Sequence, residues 1–161
     1  MRFRIGNGFD SHRFIKDKKF ILGGVEIIYN KGLDAHSDGD ALIHAIIDCL
    51  LGASNSADIG ELFPPNDISL KNINSETLLS QVLDLINKKN YEIINIDCII
   101  ICEEPKLKEY KPLMIKNLSK ILKIKEEQIN IKTKTAEKMG ALGRKEGLAV
   151  FTTCLLNNTD F

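Results

Sequence analysis

The segment from Ser37 to His44 constrains the fold of this chain most strongly, because it places two acids and a glycine directly before a helical pattern. Apolar residues recur there at helical spacing: Ala41, Leu42, Ala45, Ile46, Cys49 and Leu50. Asp38 or Asp40 is expected to cap the helix, since a short carboxylate accepts hydrogen bonds from the free amides of the first turn. Gly52 is expected to end the helix in a left-handed conformation. His44 then lies in the first or second turn of a fixed element.

The order of the other predicted elements indicates an α+β fold. A strand near the start is followed by a hairpin that turns at Gly23-Gly24, and a last strand is expected over 148–156. Further helices begin at Ser75 and near Pro112, and further strands cover 93–102 and 129–135. Because helices and strands do not strictly alternate, we expect a mixed β-sheet with helices packed on one face, within a single domain over residues 1–161. The two segments 57–67 and 136–144 are predicted to be loops.

Charge and composition narrow the class of protein. Lys plus Arg and Asp plus Glu are equal at 22 each, so no basic field predicts a nucleic-acid partner. No apolar run approaches the ~20 residues that span a bilayer, so no membrane partner is expected. The four cysteines are expected to be buried reduced thiols, which predicts a soluble, cytoplasmic protein. The last strand is apolar on both faces, so self-association is expected.

One strand and one helix carry residues that could hold a metal ion. Asp10 and His12 point to the same face of a strand, because strand side chains repeat every two residues. Together with His44 they supply a carboxylate and two imidazoles, which is the donor set of catalytic zinc sites with one open position. Non-haem iron(II) uses the same ligand types. On spacing alone, a hydrogen-bonded Asp–His surface pair and a satisfied core histidine remain alternatives.

Four ordered motifs carry a resemblance to a known family. They are Gly6-x-Gly8-Phe9-Asp10-x-His12, His36-Ser37-Asp38-Gly39-Asp40-Ala41-x-x-His44-Ala45, Asp58-Ile59-Gly60-x-x-Phe63-Pro64 and Thr135-x-Glu137-Lys138-x-Gly140-x-x-Gly143-Arg144-x-Glu146-Gly147. In this order they resemble the motifs of the 2-C-methyl-D-erythritol 2,4-cyclodiphosphate synthases, cyclases of the non-mevalonate isoprenoid pathway. The resemblance runs from about residue 4 to residue 156, and the segment around His44 is its most specific part.

The resemblance implies a function and an assembly. The expected substrate is 4-diphosphocytidyl-2-C-methyl-D-erythritol 2-phosphate, whose 2-phosphate attacks the β-phosphate to give the cyclic diphosphate and CMP. It implies a homotrimer with active sites between subunits and the sheets facing the inside. Asp10, His12 and His44 match zinc ligands, and Glu137 matches a ligand of a second ion, Mg²⁺ or Mn²⁺. His36 and Thr135 match residues that act on the transition state.

Further residues match substrate contacts of that family. Ser37 matches a phosphate contact, and Asp58, Ile59 and Gly60 match the ribose-binding turn. The segment Phe63, Pro64, Pro65, Asn66 and Asp67 matches the loop on the erythritol side, while Cys102, Glu103, Glu104, Pro105, Lys106, Leu107 and Lys108 match the loop that binds cytosine and reaches the diphosphate. Without the resemblance, Asp58 would be interpreted as a loop cap, and Lys106 and Lys108 would be interpreted as solvated surface charges.

Some positions depart from the family pattern. Pro65 replaces a residue that is commonly acidic, and Lys134 and Ala136 stand where threonine is frequent beside the cytidine. Ala141 replaces an aromatic residue that lines the trimer channel in some members, although the arginine at Arg144 is retained. Two other classes remain alternatives to the cyclase: a non-catalytic trimeric binding module for nucleotide or isoprenoid diphosphates, and an unrelated metal phosphoesterase.

Overall fold

The architecture comes from a computed structural model, which describes residues 2–35, 37–64, 66–70 and 73–160. The strands are β1 (Arg2–Lys16), β2 (Phe20–Leu22), β3 (Val25–Ile27), β4 (Lys31–Leu33), β5 (Tyr91–Ile101), β6 (Ile129–Lys134) and β7 (Gly147–Asn158). The α-helices are α1 (Ala41–Ala53), α2 (Ile59–Leu62), α3 (Ser75–Lys88), α4 (Lys111–Leu122) and α5 (Gly140–Gly143). Short 3₁₀ turns cover Ile68–Leu70, Lys108–Tyr110 and Glu126–Gln128.

Five strands form one mixed sheet in the order β4-β1-β7-β5-β6. All neighbours are antiparallel except β5 and β6, which run parallel. The last strand of the chain therefore occupies the centre of the sheet, between β1 and β5. This confirms the predicted α+β fold with a mixed sheet.

The hairpin of β2 and β3 is also confirmed. Leu22 pairs with Val25, and the two intervening glycines have φ values of +59° and +72°. Two consecutive positive φ angles are the geometry of a two-residue turn whose twist matches the strands, and glycine adopts it without steric cost.

Helix α1 is the centre of the core. It packs on β1 and β7 with one side and against α3 with the other. Only His44, Asp48 and Gly52 among its residues are not buried. A helix that is apolar nearly all round is expected where it is enclosed by other elements. The three long helices α1, α3 and α4 thus cover one face of the sheet, as predicted.

Asp40 connects α1 to the β2–β3 hairpin through hydrogen bonds. It is the N-cap of α1 and accepts from the amide of Ile43 at 3.0 Å. The same carboxylate accepts from the amides of Gly23 at 2.9 Å and Gly24 at 2.6 Å. Its complete burial raises the pKa of Asp40, while the three amide hydrogen bonds act in the opposite direction. Of the two predicted caps, Asp40 is therefore the one that caps α1.

Two local predictions were wrong. Gly52 lies inside α1, and Asn55 carries the left-handed φ of +51° two residues after the helix ends. The predicted loops 57–67 and 136–144 contain the single-turn helices α2 and α5. Such short elements are formed by tertiary contacts rather than by periodicity.

The opposite face of the sheet carries large apolar side chains. Phe3, Ile5, Phe9 and Phe151 are about half exposed or more. The rings of Phe9 and Phe151 lie 4.8 Å apart between their centroids, so the patch is continuous across β1 and β7. Contiguous apolar surface of this kind marks interaction sites. None of the helices formed by the described residues is long and apolar enough to cross a membrane.

The close approach of α1 to β1 gives a stability prediction. A Cβ at Gly8 would lie 1.9 Å from the carbonyl oxygen of Ala45, so Gly8→Ala forces the helix away from the strand. We expect the free energy of unfolding to fall by about 1–3 kcal/mol or more, measured by denaturant unfolding.

Gly52→Ala is the matched control. A Cβ at Gly52 would have the carbonyl oxygen of Asn7 as its nearest neighbour, at 3.8 Å, which is an ordinary van der Waals contact. Because Gly52 is helical, alanine there should stabilise the protein by up to ~1 kcal/mol. Destabilisation by Gly52→Ala would contradict the helical assignment of this residue.

Candidate functional site

Three predicted ligands meet at the contact between β1 and α1. Asp10 and His12 project from the same face of β1, and His44 projects from α1 one turn after its start. Asp10 Oδ2 lies 2.9 Å from His12 Nε2 and 3.0 Å from His44 Nδ1. One donor atom from each residue lies within 4.8 Å of the other two. The predicted convergence of these three side chains is confirmed.

The hydrogen bonding of His12 tests whether a cation fits this cluster. Its Nε2 atom is buried and has no hydrogen-bond partner among the described residues, although Asp10 Oδ2 is only 2.9 Å away. The two atoms are close enough for a hydrogen bond, but their contact lacks hydrogen-bond geometry. Buried polar atoms without partners are rare and require an explanation. A shared divalent cation would satisfy both atoms, and nitrogen and oxygen donors are typical of zinc.

The charges of the cluster reinforce one another. Burial alone would raise the pKa of Asp10, but the close contact and charge of His12 and the hydrogen bond and charge of His44 lower it well below its usual value. Burial alone would lower the pKa of His44, but the carboxylate of Asp10 raises it. The aspartate is thus held ionised, and its charge would favour a bound cation.

A cleft of about 750 Å³ opens beside this cluster. Its lining includes the predicted residues His12, Ser37, His44, Ile59, Gly60, Phe63, Pro64, Asn66 and Asp67. It also includes Asp34, Ala35, Ile68, Leu70, Ile73 and Leu78, which were not predicted. The volume is in the range of small-molecule sites. The donor atoms and the cleft therefore form one continuous candidate site.

The start of α2 shapes one wall of the cleft. Asp58 is the N-cap of α2 and accepts from the amide of Glu61 at 2.8 Å. Asp48 in α1 accepts from the amide of Ile59, the first residue of α2, at 2.9 Å. Helix α1 thus carries both His44 and Asp48, which holds the start of α2.

The remaining predicted residues form a second cluster outside the cleft lining. The amide of Cys102 donates to the carbonyl of Lys134 at 2.9 Å, and the amide of Ala136 donates to Glu103 Oε2 at 3.1 Å. Thr135 donates to the carboxylate of Glu137. The segment 102–108 is therefore held against the end of β6.

Exposure within this second cluster varies. Lys106, Lys108, Lys134, Glu137, Ala141 and Arg144 are exposed, Cys102 and Leu107 are buried, and Glu103, Glu104, Pro105, Thr135 and Ala136 are intermediate. Arg144 donates to Glu146 at 2.7 Å, and Lys145 pairs with Glu104 at 2.6 Å. Two predicted residues, His36 and Pro65, lie outside the described residues.

Sequence reasoning missed the role of Ser75 next to His44. The Nε2 atom of His44 lies 2.9 Å from the hydroxyl of Ser75 and 3.2 Å from that of Ser37, which was predicted as a phosphate contact. Ser75 in turn donates to Asp38. No spacing in the sequence relates Ser75 to His44, because their contact depends on how α3 packs beside α1.

Comparison with known proteins gives consistent results over nearly the whole chain. A protein from Brachyspira hyodysenteriae called 2-C-methyl-D-erythritol 2,4-cyclodiphosphate synthase is 52% identical over 156 residues, covering 97% of this chain and 99% of that protein. The CDP complex of IspF from Plasmodium falciparum has a TM-score of 0.86 and 41% identity, covering 98% of this chain and 97% of the other.

A third relative is longer than this chain. The bifunctional IspDF from Campylobacter jejuni matches with a TM-score of 0.95 and 44% identity over 99% of this chain, which spans only 43% of that protein. The sequence profile of the YgbB family matches residues 3–157. The identities, the coverage and the profile agree, and the chain belongs to the YgbB family.

Proposed function

We propose that this chain carries out the reaction of its family with a divalent cation held by Asp10, His12 and His44. The observation that carries the proposal is the convergence of these three donor atoms at a cleft. The buried Nε2 of His12, which has no hydrogen-bond partner within the described part of the chain, supports a cation at this point.

The chain is an enzyme, a phosphorus–oxygen lyase. The reaction of the family converts 4-diphosphocytidyl-2-C-methyl-D-erythritol 2-phosphate to 2-C-methyl-D-erythritol 2,4-cyclodiphosphate and releases CMP. Nucleophile and electrophile are both anionic phosphoryl groups of one molecule. Their mutual repulsion is the main obstacle, and no protein nucleophile is needed.

The predicted site residues have distinct roles in the proposed mechanism. Asp10, His12 and His44 would hold zinc and Glu137 would hold Mg²⁺ or Mn²⁺, and these ions would neutralise charge on the reacting phosphoryl groups. Ser37, which lines the cleft beside His44, donates to a phosphate oxygen. Residues 63–67 enclose the erythritol and hold the molecule in one conformer. Intramolecular attack then avoids an entropic cost of ~7 kcal/mol or more. His36 and Thr135 are proposed to stabilise the transition state.

We further propose that each complete active site forms between two subunits of a homotrimer. Thr135, Glu137 and the segment 102–108 are not part of the cleft lining, so within one chain they do not complete the site. The exposed apolar sheet face supplies a surface for assembly. In this arrangement the sheets face the inside of the trimer, and the second cluster of one subunit reaches the cleft of its neighbour.

The same model places the cytidine nucleotide between the two clusters. The ribose is proposed to bind Asp58 and Gly60, and the cytosine to bind the backbone of 102–108, with Lys106 towards the diphosphate and Lys134 and Ala136 beside the nucleotide. The related Plasmodium falciparum protein binds CDP, which supports this assignment. The four free and buried cysteines support a cytoplasmic location.

A product assay tests the proposed function. Purified protein incubated with the substrate and Mg²⁺ should release CMP, and removal of the metal with a chelator should abolish that release. Release of inorganic phosphate instead would support a phosphoesterase. Tight binding of CDP without turnover would support a binding module.

A further inference from the structure

The imidazole of His44 is contacted on the side opposite Asp10 by the hydroxyl of Ser75, which Asp38 holds in place. We propose that Ser75 and Asp38 are positioning residues that fix the proton and the orientation of His44 for metal binding. This inference rests on the proposed metal site and assigns a role to two residues outside the ligand set.

The direction of the hydrogen bonds follows from one requirement: a histidine nitrogen that binds a metal must carry no proton. His44 Nδ1 lies on the side of Asp10, at 3.0 Å from Oδ2, and must be free of its proton to bind a metal. In a neutral imidazole the proton is then on Nε2, which becomes a donor. The nearest acceptor is Ser75 Oγ at 2.9 Å, and Ser75 directs its own proton to Asp38 Oδ1. An ionised carboxylate can only accept, so Asp38 sets the direction of the whole chain of hydrogen bonds.

Asp38 is itself held rigidly. Its Oδ2 accepts from the amide of Ser75 at 2.9 Å, and its Oδ1 also accepts from the amide of Asp40 at 3.2 Å. Ser75 is the first residue of α3 and is completely buried. A carboxylate at a helix N-terminus is stabilised by the free amides and the helix dipole. The packing of α3 therefore sets the position of the hydroxyl that orients His44.

A second hydroxyl near the imidazole has a different environment. Ser37 Oγ lies 3.2 Å from His44 Nε2 and accepts from the amide of Gly39 at 3.2 Å. Ser37 lines the cleft, whereas Ser75 is not among the lining residues. The geometry thus separates two roles: Ser75 orients the ligand, and Ser37 remains available to the substrate. Partners that orient metal-binding histidines affect metal affinity by about 10–100-fold.

Zinc affinity of purified protein, measured by competition with a chromogenic chelator, tests the assignment. Ser75→Ala should weaken zinc binding by about 10–100-fold, because the proton on Nε2 loses its acceptor. Ser37→Ala should leave zinc affinity close to that of the unmodified protein. Asn74→Ala is the matched control for the helix end, since Asn74 caps α3 through the amide of Glu76 at 2.8 Å. It should lower the unfolding temperature without weakening zinc binding.

The outcomes distinguish this inference from the metal site itself. Absence of zinc binding in the unmodified protein would overturn the metal site. Zinc binding by that protein with unchanged affinity in Ser75→Ala would overturn only the role of Ser75. Equal losses in Ser75→Ala and Asn74→Ala would show a helix-end effect, and a loss confined to Ser37→Ala would make Ser37 the partner. Both results would overturn the inference.

Two further measurements keep the test decisive. If Ser75→Ala does not fold, Asp38→Asn preserves the volume of the side chain and removes its charge. It should weaken zinc binding, and unchanged affinity would contradict the role of Asp38. The imidazole nitrogen shifts of His44 in the zinc-loaded protein should show the proton on Nε2. A proton on Nδ1 would overturn the proposed direction.

Discussion

Replacing Asp10 by asparagine is expected to reduce the rate of CMP release roughly a thousandfold, because a bound cation contributes several kcal/mol to charge stabilisation. Asparagine preserves the size of the side chain and the oxygen that accepts from the amide of Ser11 at 2.9 Å. The strand should therefore keep its conformation while the cluster loses its negative charge. Product release and bound zinc per chain are the two measurements.

The matched control is Asp84→Asn, the same change on the exposed side of α3. It should retain both activity and zinc. If Asp10→Asn bound zinc and released CMP at the rate of this control, the three-residue cluster would not be the catalytic metal site.

A charge on the open face of the sheet is expected to dissociate the proposed homotrimer. Ile5 is 69% exposed on β1, and Ile5→Glu would place a carboxylate in each of three equivalent contacts. Burying an unpaired ion costs several kcal/mol, and this cost would arise three times in one trimer. Light scattering should show a change from about three times 18.1 kDa to a single chain. CMP release should fall with it, since the second cluster would be separated from the cleft.

Leu113→Glu is the control for the change in surface charge. Leu113 is 54% exposed on α4, on the helical side of the molecule. Its replacement should leave the mass unchanged. A single-chain mass for the unmodified protein would contradict the trimer, and a trimer that persists in Ile5→Glu would place the interface elsewhere.

Local rules were sufficient to place the three candidate ligands on their elements, although not to decide that they bind a metal. Asp10 and His12 share a face because the strand repeat is two, and His44 follows a capped helix start. The shared face of Asp10 and His12 and the position of His44 in its helix both follow from short segments of sequence. Tertiary packing therefore does not change them. The resemblance to a family then connected the strand with the helix.

Features that depend on packing could not be predicted in the same way. Ser75 meets His44 across 31 positions of sequence, through the contact of α3 with α1. Gly52 has the residue type of a helix end, yet the helix continues to Ala53 and Asn55 adopts the left-handed conformation. Both outcomes depend on neighbours in space rather than in sequence.

The glycines of β1 have a consequence for metal affinity. A Cβ at Gly6 would lie 1.9 Å from the carbonyl of Cys49, and one at Gly8 equally close to that of Ala45, which follows His44. The distance between Asp10 and the imidazole is therefore set by how closely two backbones can approach. A substitution between these two backbones is expected to weaken metal binding at the proposed site as well as to destabilise the fold. Screens for weakened metal binding should accordingly recover positions that never touch the ion.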